Sequence, residues 1–220
     1  MTFKTIETGS GGNAFLLDDL MIDCGLPYSK IKENLVGVNH ILLTHIHGDH
    51  FNKTTIRKIA ANHENIMFVC CEWLKDDLLN ITDENRIIVV DVGDIYSPYG
   101  YRYEISPILA YHDVPNCGYR IMKDGWKHLH ITDTSTLEGI TAYGYDSASI
   151  ECNHHRGKAL ELIEQAKEDG EFSHLPGAIN SHLSVEEVIE FCKINKIKKL
   201  YPVHIGSSTK AEVIEALKLW

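Results

Sequence analysis

The chain has 220 residues, 44% of them hydrophobic, and a formal net charge of -10. That apolar content suffices for one substantial core, and the absence of any linker or low-complexity stretch predicts a single domain over residues 1–220. The acidic balance argues against a protein that grips long DNA or RNA through a basic face. No apolar run reaches membrane-spanning length, and the six cysteines lack Cys-x-x-Cys spacing.

In chain order, Met1 to Glu7 carries no signal-peptide core, so the expectation is a cytoplasmic protein with reduced, mostly buried thiols and no membrane partner. Residues 3–7 and 13–17 read as strands around the turn Thr8-Gly9-Ser10-Gly11-Gly12-Asn13. That turn is either a plain hairpin or a set of N–H groups facing an anion. Leu20 to Gly25 reads as a strand that ends in an acid, Asp23, and Tyr28 to Leu35 as a short helix. The apolar run Ile41-Leu42-Leu43 predicts a buried strand. It leads into Thr44-His45-Ile46-His47-Gly48-Asp49-His50-Phe51, after which Asn52 caps a helix over Lys53 to His63. His45 and His47, two apart at a strand end, can point to one side, and Gly48 lets the chain turn so that Asp49 and His50 follow. One turn thus offers ligands to two neighbouring metal ions, with donors that suit zinc, manganese or iron.

His-x-His-x-Asp-His after an apolar strand resembles the signature of the metallo-β-lactamase superfamily. The resemblance implies an α/β fold, an αββα sandwich of two mixed β-sheets flanked by helices. It also implies that Asp23 orients the histidine loop by hydrogen bonds rather than binding metal; a simple strand-end turn is the alternative. The opening Gly9-Ser10-Gly11-Gly12-Asn13 is similar to that of YycJ-like exonucleases, which places Ser10 and Asn13 beside the substrate or the ligands.

Past the histidine loop, a strand over Ile66 to Cys70, a helix over Glu72 to Asn80, and strands over Arg86 to Val90 and Tyr99 to Tyr111 continue the α/β pattern. His112, at a strand end before a Pro/Asn/Gly turn, resembles the superfamily's third ligand element. Trp126 to Ile131 reads as a strand leading to Asp133, which looks like the ligand shared by both ions. His128 and His130 share a strand face and read as ordinary sheet positions. Ser147 to Cys152 is a further strand. Glu151-Cys152-Asn153-His154 resembles the Glu-Ser-Asn-His of YycJ-like proteins, with Cys for Ser, and leaves His154 as a pocket residue or a plain helix start.

Arg156 to Asp169 predicts a helix ended by Gly170, and Ser184 with Glu187 a capping box for the next helix. His182 lies just ahead of that helix, a place that favours phosphate. The segment from Ser181 through Gly206 looks like the end of RNase J-type and tRNase Z-type nucleases. That likeness implies that His182 contacts phosphate or protonates the leaving group and that His204 is the last metal ligand; the reverse assignment stays open. Thr209 with Glu212 repeats the capping-box spacing before a final helix to about Leu219. Lys193, Lys196, Lys198 and Lys199 read as support for a helix C-terminus, with a substrate contact as the alternative.

The resemblance therefore implies one ion on His45, His47 and His112, another on Asp49, His50 and His204, and Asp133 between them. Zinc ranks ahead of manganese. A water held by both ions would attack without a protein nucleophile, with Asp49 steering its proton and His182 serving as the acid. The expected activity is that of a phosphodiesterase or nuclease on short single-stranded nucleic acid or a nucleotide. The alternative is a thioester or lactone hydrolase of the same fold. A di-iron redox protein is disfavoured because His47 stands where that branch has a carboxylate, and a non-catalytic binding module is disfavoured because every ligand position is filled. Self-association is left open.

Overall fold

The computed structural model describes residues 1–220 as a mixed α/β protein with two mixed β-sheets flanked by helices. By its internal contacts the chain divides into two units, 1–109 with 117–126, and 110–116 with 127–220. No helix is long and apolar enough to cross a membrane.

In the first unit, β1 (Phe3–Glu7), β2 (Ala14–Leu17) and β3 (Leu20–Ile22) form an antiparallel meander. The helix α1 (Tyr28–Ile31), continued by a 3-10 turn over Lys32–Leu35, leads to β4 (His40–Leu42), which pairs parallel to β3. Every residue of β3 and β4 is buried, as expected of short apolar runs inside a sheet. After α2 (Lys53–Asn62), β5 (Met67–Cys70), α3 (Lys75–Leu79) and β6 (Ile87–Val89), the sheet has the order β1-β2-β3-β4-β5-β6. Met21, Ile41, Leu43, Phe51, Ile56, Ile59 and Phe68 form its core with their neighbours. Asn52 does cap α2, accepting the Thr55 N–H at 3.0 Å.

The strands β7 (Tyr103–Ala110) and β8 (Asn116–Lys123) follow. The expected strand start at Tyr99 is corrected to Tyr103, because Gly100 and Arg102 take left-handed backbone angles, φ 85° and 52°, that interrupt an extended chain. Arg86 likewise closes a 3-10 turn over Glu84–Arg86 instead of opening β6, and its guanidinium binds the carbonyls of Ala60, His63 and Ile66.

In the second unit, β9 (Trp126–Ile131), β10 (Ser147–Glu151) and β11 (Leu200–Val203) are parallel in the order β11-β10-β9. Three helices lie between β10 and β11 in sequence: α4 (Arg156–Asp169), α5 (Leu175–Ser181) and α6 (Val185–Asn195). Gly170 ends α4 at φ 69°, and Ser184 and Glu187 complete the capping box of α6. The short helix α5 has no counterpart in the sequence reading, since Pro176 and Gly177 hide its periodicity. The last helix, α7 (Lys210–Lys218), lacks the expected side-chain cap from Thr209, whose hydroxyl accepts the His155 N–H at 3.0 Å instead. Lys198 pairs with Asp146 at 2.7 Å, while Lys196 and Lys199 lie over the Tyr143 and Tyr201 rings, 5.1 and 4.6 Å from their centroids. All six cysteines are free and buried.

Candidate metal centre

Parallel pairing of β3 with β4 sets Ile22 opposite Leu42, so the ends of the two strands emerge together. Asp23 leaves β3 in a left-handed conformation, φ 58°, which Asp tolerates better than most residues. Its carboxylate accepts the Thr44 N–H at 2.9 Å and the Thr44 hydroxyl at 2.9 and 3.1 Å, and its Oδ2 lies 2.6 Å from His50 Nδ1. With its hydroxyl hydrogen committed to Asp23, Thr44 Oγ1 accepts from His45 Nδ1 at 2.9 Å. Both histidines are thereby held with Nδ1 protonated and the lone pair on Nε2, the form in which imidazole binds a metal.

The loop is tied to the N-terminal turn. Asn13 donates its backbone N–H to Asp49 O at 2.7 Å and accepts that of Gly25 at 2.8 Å. A Cβ on Gly25 would stand 1.6 Å from Asp49 O, so only glycine fits there. The Asn13 amide reaches Asp49 Oδ2 at 3.2 Å and His50 Nε2 at 2.8 Å, so a ligand role for His50 takes that lone pair from Asn13. The His45 ring lies 4.9 Å from His47 and 4.3 Å from His50 between centroids. Ser10 is exposed, whereas Asn13 is fully buried.

The second unit assembles its own set. His112 follows β7 and packs its ring 5.4 Å from that of His182. Asp133 and His204 follow β9 and β11, each with left-handed backbone, φ 53° and 49°. The turn at Asp133 is held by Asn116, whose amide donates to Thr132 O at 3.0 Å and Asp133 O at 2.7 Å. Asp133 Oδ1 lies 3.0 Å from His204 Nδ1 and 3.8 Å from His182 Nδ1. Glu151, at the end of β10 and fully buried, accepts the Thr134 N–H on Oε1 at 2.6 Å and faces His182 Nδ1 with Oε2 at 2.8 Å. Behind His204, Gly206 donates its N–H to Asn153 O at 2.8 Å, where a Cβ would collide.

Asp23, His45, His47, Asp49, His50 and Asn13 thus gather at one loop, and His112, Asp133, His182 and His204 gather in the second unit. His154 is buried and forms a lone β-bridge to Ser184, while its neighbour His155 caps α4. Burial pushes the His154 imidazole below its ordinary pKa, with the nearby Glu187 opposing that. His128 and His130 are ordinary sheet positions, bonded to Ser147 and Ser149 of β10 at 2.7 to 2.9 Å. Sequence reasoning assigned no role to Thr44, Asn116 or Glu151, although Glu151 opens the Glu-Cys-Asn-His motif. Glu151 left a trace there, being an acid inside an otherwise small and apolar strand.

The donor chemistry fits a divalent ion. Asp133, Glu151, His182 and His204 each offer an atom within 4.8 Å of the others, and His45 and His50 hold lone pairs set by Asp23. Neutral imidazoles with carboxylates are what zinc and manganese accept.

The family described as a Beta-lactamase superfamily domain matches residues 20–205. No curated protein matches the sequence. Among solved structures, the metallo-β-lactamase fold protein YhfI from Bacillus subtilis superposes with a TM-score of 0.76 at 15% identity, over 99% of this chain and 91% of that one. The short form of human tRNase Z gives 0.70 at 18% identity, over 94% of this chain and 93% of that one. Unliganded yeast PDE1 gives 0.68 at 13% identity, over 99% and 93% respectively. At these identities the likeness shows a shared fold.

Proposed function

The chain belongs to the metallo-β-lactamase superfamily of metal-dependent hydrolases, and from that premise we propose that it is a dinuclear phosphodiesterase for short single-stranded nucleic acid or a nucleotide. The observation that carries this reading is the 2.8 Å contact between Glu151 Oε2 and His182 Nδ1. A buried carboxylate on Nδ1 fixes the ring and keeps Nε2 for a departing oxygen, and an imidazole can carry that proton near neutral pH. The fold shared with human tRNase Z and yeast PDE1 supports a phosphodiester substrate. The net charge of -10 favours a short substrate over a long duplex.

In this reading His45, His47 and His112 would hold one ion and Asp49, His50 and His204 the other, with Asp133 as the carboxylate offered to both and zinc ahead of manganese. When bound, such ions supply Lewis acidity and make a water near them more acidic. Asp23 keeps His45 and His50 in the ligating tautomer. Asp49 accepts the proton of the attacking water, His182 Nε2 delivers one to the leaving oxygen, and Asn13 steadies the loop that carries Asp49.

The test is turnover of bis-p-nitrophenyl phosphate, short single-stranded DNA and RNA, and cyclic nucleotides by protein reloaded with zinc or manganese. Metal-dependent cleavage, abolished in His45→Ala and weakened at least tenfold in His182→Ala, is expected. Turnover of thioesters or lactones with no phosphodiester cleaved would overturn the reading.

A further inference from the structure

We infer that the cleft between α1 and α2 binds the phosphate backbone of a single-stranded nucleic acid, with Lys32 and Lys58 as its cations. The inference rests on the phosphodiesterase reading above and narrows it to a substrate that extends well beyond the scissile bond, rather than a mononucleotide or cyclic nucleotide.

The helices α1 and α2 pack on each other and leave a cleft of about 380 Å³, within the size range of ligand sites. Tyr28, Ser29 and Lys32 line it from one segment, and Asn52, Thr54 and Lys58 from the other. No acid lines it, although the chain holds 31 of them. Lys30 and Lys53, on the same two segments, are matched by Glu7 and Asp77 at 2.7 and 2.6 Å. Lys32 and Lys58 enter no ion pair. Helix α2 adds Arg57 to its two lysines and carries no acid, which makes it a positive strip on a chain of net charge -10. Two unpaired ammonium groups in one cleft create a local positive potential, and an anion between them offsets it.

The neutral donors indicate the same class of ligand. Asn52 spends its Oδ1 on the Thr55 N–H, so its amide hydrogens stay uncommitted. The hydroxyls of Ser29 and Thr54 make no bond within the chain. Two charges and three neutral donors spread along a cleft suit the repeated oxygens of a phosphodiester backbone better than one compact carboxylate. Tyr28 is held by its 3.0 Å bond to His63 Nε2, and with Pro27 it gives the cleft an apolar surface for a sugar or base. The cleft also borders the histidine loop. Pro27 lies two residues past Gly25, which packs against Asp49 O, and Asn52 lies two past His50, a step that spans at most about 7 Å. A strand with its scissile phosphate at the loop can therefore continue along α2.

The experiment measures, by fluorescence anisotropy across a salt series, binding of a labelled single strand of about 12 nucleotides to the metal-loaded full chain. Phosphorothioate linkages keep the backbone charge and resist cleavage. Lys32→Ala with Lys58→Ala, both at exposed side chains, is expected to weaken binding at least tenfold at about 0.1 M salt. The slope of log affinity against log salt should flatten by about 1.4, at about 0.7 per phosphate contact of a single strand. Lys167→Ala with Lys210→Ala removes the same charge from the second unit and is expected to change affinity less than twofold. With an unmodified strand, the cleft variant is expected to raise KM at least tenfold and to leave kcat within about twofold. The cleft is overturned if the unaltered chain does not bind the strand, if the two double variants lose affinity equally, or if the salt slope of the cleft variant is unchanged. Any of these with phosphodiester turnover intact leaves the phosphodiesterase reading standing. Absence of all phosphodiester turnover overturns that reading, while the binding series still decides the cleft.

Discussion

Asp23 Oδ2 and His50 Nδ1 lie 2.6 Å apart with both side chains fully buried. The same carboxylate holds the Thr44 hydroxyl, which in turn sets His45. One acid at the end of β3 thereby fixes the tautomers of two histidines on the loop after β4, and its left-handed backbone is what turns the side chain toward them.

Asp23→Asn isolates the charge, because Asn tolerates the same left-handed backbone. Zinc affinity is expected to fall 10- to 100-fold, as for other groups that orient metal-binding histidines. Competition with a chromophoric chelator measures it, and an unchanged affinity would show that Asp23 is only a turn residue.

Gly25→Ala places a Cβ 1.6 Å from Asp49 O and 2.8 Å from Asn13 N. Both are backbone atoms that cannot swing aside, so the loop must shift. The expected loss is more than about 3 kcal/mol of stability, read from the urea midpoint. A loss under about 1 kcal/mol would mean the turn is softer than its hydrogen bonds imply.

Asn116→Ala removes two buried bonds that hold the turn at Asp133. The cost is about 1–3 kcal/mol, together with weaker metal binding because Asp133 loses its fixed direction. Paired urea and zinc titrations separate the two effects, and retained zinc affinity in a destabilised variant would refute the positioning role.

Burial, with the neighbouring charge of His130, pushes the His128 imidazole well below its ordinary value. The unfolded chain takes up this proton near pH 6.5 and the folded one does not. The stability His128 contributes is therefore complete above about pH 6.5 and is lost as pH falls toward the folded pKa, by about 1.4 kcal/mol per pH unit. His40 and His154, also lowered by burial, act with the same sign. Urea midpoints between pH 8 and 5 should fall on acidification, less so in His128→Asn. Equal slopes in the two proteins would rule the assignment out.

Much of the candidate site was legible because its signals are local. His45, His47, Asp49 and His50 share one turn, Asn52 caps the helix after it, and Ser184 with Glu187 caps α6, each within a few residues of its partner. Left-handed backbone at Asp23, Asp133 and His204 was not legible, since only Gly announces that conformation in sequence.

By itself, then, the sequence determined where side chains of metal-binding and acid–base type lie and which strand ends precede them, because periodicity, caps and motif spacing act over one or two turns of chain. Only the tertiary structure decided which partner each of them meets. Asp23 reaches His50 across 27 residues, and Glu151 reaches His182 across 31. In each case a parallel strand register or a returning helix sets the contact, and a hydrogen bond tolerates errors of only a few tenths of an ångström. That precision belongs to the packed fold and to no local stretch of it.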